Sequence, residues 1–193
     1  MNKFKYEKLF QFGKDRTVYR KLNIGSIKTK NLDSKKLTIV SKNMLEILTQ
    51  EAFYDISHFL RPEHLKQISS IFKDKEASNN DKYVALALLK NANVAAGGVL
   101  PMCQDTGTAI VLGKKGSYIW TNFDDEEFIS KGIWKAFKTN NLRYSQLAPI
   151  SMFEEVNTKT NLPAQIDIMH SRGNEYNFLF IAKGGGSANK TFF

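Results

Sequence analysis

The apolar residues of this chain change their spacing twice. From Ser41 onward they recur every three to four positions, and beyond the Gly97-Gly98 pair they gather into short runs typical of strands. An amphipathic helix must bury its apolar stripe against another element, so consecutive helices followed by strands are expected to pack as layers. The sequence therefore predicts an α+β fold in which N-terminal helices pack on a mixed β-sheet.

Three helices are predicted before the glycine pair. The first covers residues 43–60, has Ser41 or Asn43 as its N-cap, and ends at the Arg61-Pro62 step. Pro62 suits the first turn of the second helix, and the polar residues 78–81 offer N-caps for the third. Because each helix has its own apolar stripe, we expect the three to pack together.

A β-hairpin is predicted next, over residues 109–120. The apolar run 109–112 is typical of a strand, Gly113-Lys114-Lys115-Gly116 of a tight turn, and 117–120 of the returning strand. The hairpin is expected to form one side of the mixed sheet.

The rest of that sheet is predicted further along the chain. A fourth helix follows the acidic residues 124–127, which suit the positive end of a helix dipole. Strands are then predicted at 164–170 and 176–182, with a turn at 172–174 between them.

The first 40 residues are predicted to be a basic arm or a few short strands, separate from a main domain at 41–193. Residues 1–50 hold 12 of the 28 Lys and Arg but only 4 of the 19 acids, so the net charge of +9 is concentrated there. Lys accounts for 23 of the 28 cations and lacks the bidentate fork of Arg. A solvated surface is therefore favoured over a nucleic-acid-binding module.

Composition excludes several classes of protein. With 14 Phe, 7 Tyr and 2 Trp, the chain has too much apolar surface to stay disordered. Its single Cys excludes an internal disulfide and a metal site built only from this chain's cysteines. No apolar run approaches the ~20 residues that span a bilayer, and residues 1–20 are charged throughout. We therefore expect a cytoplasmic protein with no membrane partner.

The loop around Cys103 is the first candidate for chemistry. It presents a thiol, the amide of Gln104 and the carboxylate of Asp105 just before an apolar strand, which is a rigid support. A buried structural cysteine with turn-forming neighbours is the alternative. Nothing in the sequence places one of the three histidines beside Cys103, which disfavours a cysteine protease.

Two anion-binding candidates follow it. Residues 183–190 contain three consecutive glycines flanked by lysines, whose backbone N–H groups suit a carboxylate or phosphate, although their spacing differs from a nucleotide phosphate loop. A flexible linker is the alternative for this segment. Arg143, one of five arginines, is suited either to clamp a carboxylate through two hydrogen bonds or to form an internal salt bridge.

Five segments together resemble the class I fumarate hydratases, which are oxygen-sensitive iron–sulfur enzymes. They occur in the family's order, and the similarity extends from about residue 60 to the C-terminus. The segments are 99–109, 141–146, 155–158, 161–167 and 183–191. The resemblance implies a hydro-lyase of the tricarboxylic acid cycle that converts fumarate and water to malate, and tartrate dehydratases are related enzymes.

The resemblance also implies roles for single residues. Cys103 matches one of three cysteines that hold a 4Fe–4S cluster, whose fourth iron binds substrate as a Lewis acid. Gln104 and Asp105 match residues that contact the dicarboxylate, and Asp105 is also implied as a catalytic residue in proton transfer. Arg143 matches a clamp on a substrate carboxylate, and Gly186 matches a backbone N–H donor.

The chain departs from the family in two respects. It lacks the two further cluster cysteines, and family members are more than twice as long, with a C-terminal domain that adds substrate-binding residues. We therefore expect residues 41–193 to be the N-terminal part of the hydro-lyase domain, truncated at its C-terminus and unable to hold the cluster alone. The chain is then either part of a homodimeric or split enzyme whose missing half comes from another chain, or a non-catalytic remnant.

Overall fold

The fold was obtained as a computed structural model, which describes residues 4–6, 18–33 and 35–185. These residues contain four α-helices and eight strands, with one 3₁₀ turn at Ile71–Lys73. The helices are α1 (Lys42–His58), α2 (Pro62–Ser70), α3 (Asn79–Ala95) and α4 (Asp125–Thr139). The strands are β1 (Lys28–Leu32), β2 (Lys35–Ile39), β3 (Thr108–Gly116), β4 (Ile119–Trp120), β5 (Leu147–Pro149), β6 (Glu155–Asn157), β7 (Gln165–Ser171) and β8 (Tyr176–Lys183).

The helix boundaries follow the capping signals of the sequence. Ser41 caps α1 by accepting a hydrogen bond from the Met44 amide, and Pro62 occupies the first turn of α2. Ser78 and Asp81 form a capping box at the start of α3, in which each side chain accepts a hydrogen bond from the other residue's amide. The four predicted helices are therefore confirmed.

The central sheet has the strand order β7-β3-β8. Strand β7 runs parallel to β3, with Gly116 opposite Ser171, and β8 runs antiparallel to it, with Thr108 opposite Lys183. The sheet is therefore mixed, and the α+β prediction and the two strands near 164–170 and 176–182 are confirmed.

The core lies between this sheet and the helices α1 and α4. Phe53 of α1, Val111 of β3, and Ile129 and Ile133 of α4 are completely buried. Phe53 meets the ring of Phe180 edge to face, with ring centroids 5.8 Å apart. Burial of each such side chain stabilises the fold by about 1.5–3 kcal/mol, so these contacts fix the two helices on the sheet.

The predicted hairpin at 109–120 is wrong. Strand β3 continues straight through Gly113 to Gly116, and residues 119–120 form β4, which pairs in parallel with β2 in a second sheet, of order β1-β2-β4. A Cβ on Gly113 would lie 3.3 Å from the Phe178 ring, and one on Gly116 would lie 2.5 Å from the Gly173 carbonyl oxygen. These glycines therefore allow Phe178 and Gly173 to pack closely against β3, and they do not form a turn.

The packing of the first three helices also differs from the expectation. Helix α1 packs mainly on α4, while α2 and α3 pack on each other. On α3 only Ala85, Ala92 and Ala95 are buried, whereas Tyr83 and Val94 are 71% and 65% exposed.

Within the described residues, no helix is long and apolar enough to cross a membrane.

The described part of the N-terminal segment contacts the domain through a strand pair and through Arg20. Strands β1 and β2 form an antiparallel pair that joins the domain through β4. Before them, the guanidinium of Arg20 forms ion pairs with Glu51 at 2.7 Å and Asp55 at 3.1 Å on α1. Both acids raise the pKa of Arg20, mainly through their hydrogen bonds.

Candidate functional site

Three segments that are far apart in the sequence line one open cleft of about 620 Å³. The first supplies Asp105, Gly107 and Thr108, the second supplies Arg143 and Ser145, and the third supplies Lys183, Gly184 and Gly185. Each belongs to a different segment of those singled out in the sequence, so the structure brings three of them together.

The register of the central sheet explains why the first and third segments meet. Because Thr108 pairs with Lys183, the residues just before β3 lie beside those just after β8. Gly107 has φ +56°, and a Cβ on it would overlap the carbonyl oxygen of Lys183. A Cβ on Gly184 would lie 2.7 Å from the carbonyl oxygen of Asp105. Both glycines are therefore required for this close approach.

The carboxylate of Asp105 lies against the glycine-rich segment. Its Oδ1 accepts a hydrogen bond of 3.1 Å from the backbone N–H of Gly185. The segment thus donates one backbone N–H to a carboxylate of the same chain. Asp105 is partly buried, so its carboxylate is oriented by this contact while still lining the cleft.

Arg143 reaches the same cleft from the second segment. Its side chain is exposed, and within residues 18–33 and 35–185 its guanidinium has no ion pair or hydrogen bond. In that part of the chain, the internal salt bridge considered for Arg143 has no acceptor. Together with Lys183, it gives the cleft two cationic side chains beside Asp105, which suits an anionic ligand.

Residues to which the sequence assigned no role connect the first two segments. Ser145 Oγ accepts the Gly107 amide at 2.8 Å, and Thr106 Oγ1 donates to the Arg143 carbonyl oxygen at 2.5 Å. The buried Asn161 contacts both segments through its side-chain amide. Asn161 lies within one of the five motif segments and has φ +57°, a conformation in which Asn is enriched.

Two other predicted site residues, Cys103 and Gln104, lie beside the cleft rather than in its lining. Cys103 is exposed, so the buried structural cysteine is wrong, and its Sγ accepts the Asp105 amide at 3.4 Å. Gln104 is exposed and is not among the residues that line the cleft. Gly186 lies outside the described residues.

The histidines do not form a catalytic pair with the thiol in the described part of the chain. His58 is buried, and its Nδ1 donates to the Tyr54 carbonyl oxygen at 2.8 Å. His64 lies on α2 and His170 on β7.

The residues of this chain do not by themselves fit a four-iron cluster. Such a cluster needs several thiolates, and Cys103 is the one cysteine of the sequence. Among the described residues, no three His, Cys, Asp or Glu side chains are grouped to hold a metal ion. Cys103 offers one exposed thiol at the edge of the cleft, and the other ligands would have to come from outside this sequence.

Comparison with known proteins gives consistent matches. A family model described as fumarate hydratase (fumerase) matches residues 46–193. "Fumarate hydratase class I, anaerobic" of Escherichia coli K12 is 52% identical over 189 residues, which are 98% of this chain and 34% of that protein. "Fumarate hydratase 2" of Leishmania major is 58% identical over 153 residues, covering 79% of this chain and 27% of that protein.

A more distant match is the "Putative L(+)-tartrate dehydratase subunit alpha" of Methanocaldococcus jannaschii, with 29% identity over 157 residues, 78% of this chain and 52% of that protein. The chain spans about a third of the length of the class I relatives it matches. Every residue lining the cleft lies inside the region matched by the family model. The chain therefore belongs to the fumarate hydratase family.

Proposed function

We propose that this chain is part of a fumarate hydratase, which adds water reversibly to fumarate to give malate, and that it supplies a carboxylate-binding side of the active site. One observation supports this most directly: Asp105, Arg143 and the glycines 184–185 line a single cleft. About 50% identity to class I fumarate hydratases supports the choice of substrate.

The chemistry of the reaction requires such a set of groups. Abstracting a proton next to a carboxylate builds up negative charge, which cations and N–H donors must stabilise. In this proposal Arg143 binds one substrate carboxylate through two hydrogen bonds, and the glycine-rich segment donates backbone N–H groups. Asp105 moves a proton, since it is the acid among the residues lining the cleft.

The 4Fe–4S cluster implied by the family would be held by a larger assembly than this chain. We propose that Cys103 is one ligand of a 4Fe–4S cluster whose other ligands come from polypeptide outside this sequence. One thiolate does not hold a cubane cluster, so the cluster would form only in the larger assembly. Gln104 and Gly186 remain proposed substrate contacts, and a cytoplasmic homodimer or a complex with a second chain remains the proposed setting.

A related hydro-lyase is the second candidate. The tartrate dehydratase match favours it, because it covers 78% of this chain. Its 29% identity is well below the 52% found for the anaerobic fumarate hydratase, so fumarate and malate are preferred over tartrate as substrates.

Titration of the purified chain with fumarate tests the proposal. The amide resonances of Gly107 and Gly184 should shift in a saturable way in two-dimensional NMR spectra. Arg143→Ala should weaken binding by about 2–5 kcal/mol, the usual cost of removing one charged partner of a bound carboxylate. The melting temperature should stay unchanged, because the Arg143 guanidinium has no partner among the described residues, and its carbonyl oxygen, which accepts from Thr106, is kept in the variant.

Arg172→Ala is the matched control. It removes the same charge from an exposed residue next to Ser171, at the opposite end of β3 from the cleft. If both variants bind fumarate as the unmodified chain does, or if the unmodified chain does not bind fumarate, the proposed site is wrong. Preferential binding of tartrate would favour the second candidate.

A further inference from the structure

Asn161 is a fully buried polar residue that contacts two of the segments lining the cleft. Its Oδ1 accepts the amides of Ser145 at 3.0 Å and Gln146 at 3.1 Å, and its Nδ2 donates to the Gly107 carbonyl oxygen at 2.8 Å. The partners fix the orientation of the side-chain amide, since two are N–H donors and one is a carbonyl acceptor.

These three hydrogen bonds join two of the three segments that line the cleft. Gly107 lies two residues after Asp105, and Ser145 lies two residues after Arg143. A second link runs beside the first, because Ser145 Oγ accepts the Gly107 amide at 2.8 Å. The N–H of Gly107 therefore binds Ser145 of the Arg143 segment. Its C=O binds Asn161, which also binds that segment.

We propose that Asn161 is a positioning residue for the carboxylate-binding cleft, because it sets the separation between the Asp105 loop and the Arg143 segment. This inference rests on the proposed function. A substrate clamp built from two separate loops depends on buried residues that fix their distance, and errors of about 1 Å can cost 10²-fold in rate. Asn161 does this without contacting the ligand, since it is not among the residues that line the cleft.

The residue type is determined by the hydrogen bonds. Asn has an acceptor and a donor on one rigid group, whereas Asp has the same shape but only acceptors when ionised. Asn161→Asp would keep the acceptor for Ser145 and Gln146 and place an oxygen against the Gly107 carbonyl oxygen. It therefore removes the Asn161 hydrogen bond to the Asp105 loop and leaves the Ser145 hydrogen bond in place.

Asn157 provides a matched control. Its Nδ2 donates to the Tyr144 carbonyl oxygen at 2.7 Å, so it also contacts the Arg143 segment, but it makes no hydrogen bond to the Asp105 loop in the described structure. Asn157→Asp thus makes the same chemical change at another residue that contacts the Arg143 segment, without affecting the Asn161 hydrogen bond to Gly107.

The test compares both variants with the unmodified chain by fumarate titration, thermal melting and amide hydrogen exchange. Asn161→Asp should weaken fumarate binding at least tenfold and speed up exchange of the Gly107 amide at least tenfold, while Asn157→Asp should change each less than twofold. Equal effects of the two variants, or an Asn161→Asp variant that loses melting temperature but binds fumarate normally, would overturn the proposal.

Two further measurements test the role of Asn161 if the variant does not fold or if the chain binds no fumarate. If Asn161→Asp does not fold, the through-hydrogen-bond scalar coupling between Asn161 Nδ2 and the Gly107 carbonyl carbon is measured in the unmodified chain. Its absence overturns the proposal, and its presence together with a shift on adding fumarate supports it. If the unmodified chain binds no fumarate, the proposed function fails, and exchange of the Gly107 amide in the two variants still decides whether Asn161 holds the two segments together.

Discussion

Single residues define the cleft through backbone geometry as much as through charge. Gly107 has a positive φ, and its hydrogen atom faces the Lys183 carbonyl oxygen where any larger side chain would overlap it. A non-glycine residue at this position would face both a disfavoured conformation and a collision with backbone, which has little freedom to move.

Gly107→Ala is therefore expected to lower the free energy of unfolding by about 2–4 kcal/mol, from the left-handed conformation and the overpacking together. Chemical denaturation measures this. Gly25→Ala is the control, because Gly25 also has a positive φ but nothing lies within 4 Å of its added Cβ. Equal losses in the two variants would mean that the overlap with the Lys183 carbonyl oxygen adds nothing to the loss of stability.

At the scale of elements, the contact between α1 and α4 organises the helical layer. A Cβ on Gly132 of α4 would lie 2.5 Å from the Glu46 carbonyl oxygen, so the two helices approach closely there. The carboxylate of Glu46 is buried beside this crossing and contacts Lys131 at 3.2 Å and also Lys135. Burial raises the pKa of Glu46, but the hydrogen bonds from the two lysines outweigh it, and the pKa lies below the usual value.

The sign of the resulting pH dependence follows from this pKa. A carboxyl group whose pKa is lower in the folded than in the unfolded state stabilises the fold above its unfolded pKa of about 4.3. The contribution is lost as the pH falls through the folded-state pKa. Glu46→Gln should therefore lower the free energy of unfolding by about 1–3 kcal/mol at neutral pH, and the acid-induced loss of stability should be smaller in the variant.

Denaturant unfolding at a series of pH values measures this effect. Glu51→Gln on the same helix is the control, because Glu51 and its partner Arg20 are both more than a third exposed. Its effect should stay below about 1 kcal/mol. If the stability of Glu46→Gln follows the same pH profile as that of the unmodified chain, the ion pairs between α1 and α4 do not contribute to the stability of the fold.

At the scale of the whole molecule, burial is unevenly distributed. The completely buried apolar side chains lie on α1, β3 and α4, whereas α3 buries only three alanines and exposes Leu86 and Leu88. Regions with few buried apolar contacts open at lower free energy than the core. The helix pair α2 and α3 is therefore expected to be the less stable part of the fold.

Amide hydrogen exchange should show this difference directly. Amides of β3 and α4 are expected to exchange at least tenfold more slowly than those of α3. The pair Val111→Ala and Val84→Ala makes the same chemical change at a completely buried and a 46% exposed site. The first should cost about 2–3 kcal/mol and the second less than about 1 kcal/mol. Equal protection of α3 and β3 would contradict this description of the core.

Local signals were enough to predict the helices, and part of the candidate site. Ser41, Pro62 and the Ser78–Asp81 box act within a few residues of themselves, so their effect does not depend on the rest of the fold. The turn predicted at Gly113 and Gly116 is wrong for the opposite reason. Their role is set by Phe178 and Gly173, more than fifty residues away, and no local pattern contains that information.

The candidate site also combines features that the sequence determines with features that the tertiary structure determines. The sequence identified Asp105, Arg143 and the glycine-rich segment by chemistry and by resemblance, because residue type and order are properties of the chain. That these groups face one cleft is decided by the pairing of Thr108 with Lys183 and by the hydrogen bonds of Asn161 and Ser145. Sheet register and buried polar contacts join residues that are distant in sequence, so only the tertiary structure determines them.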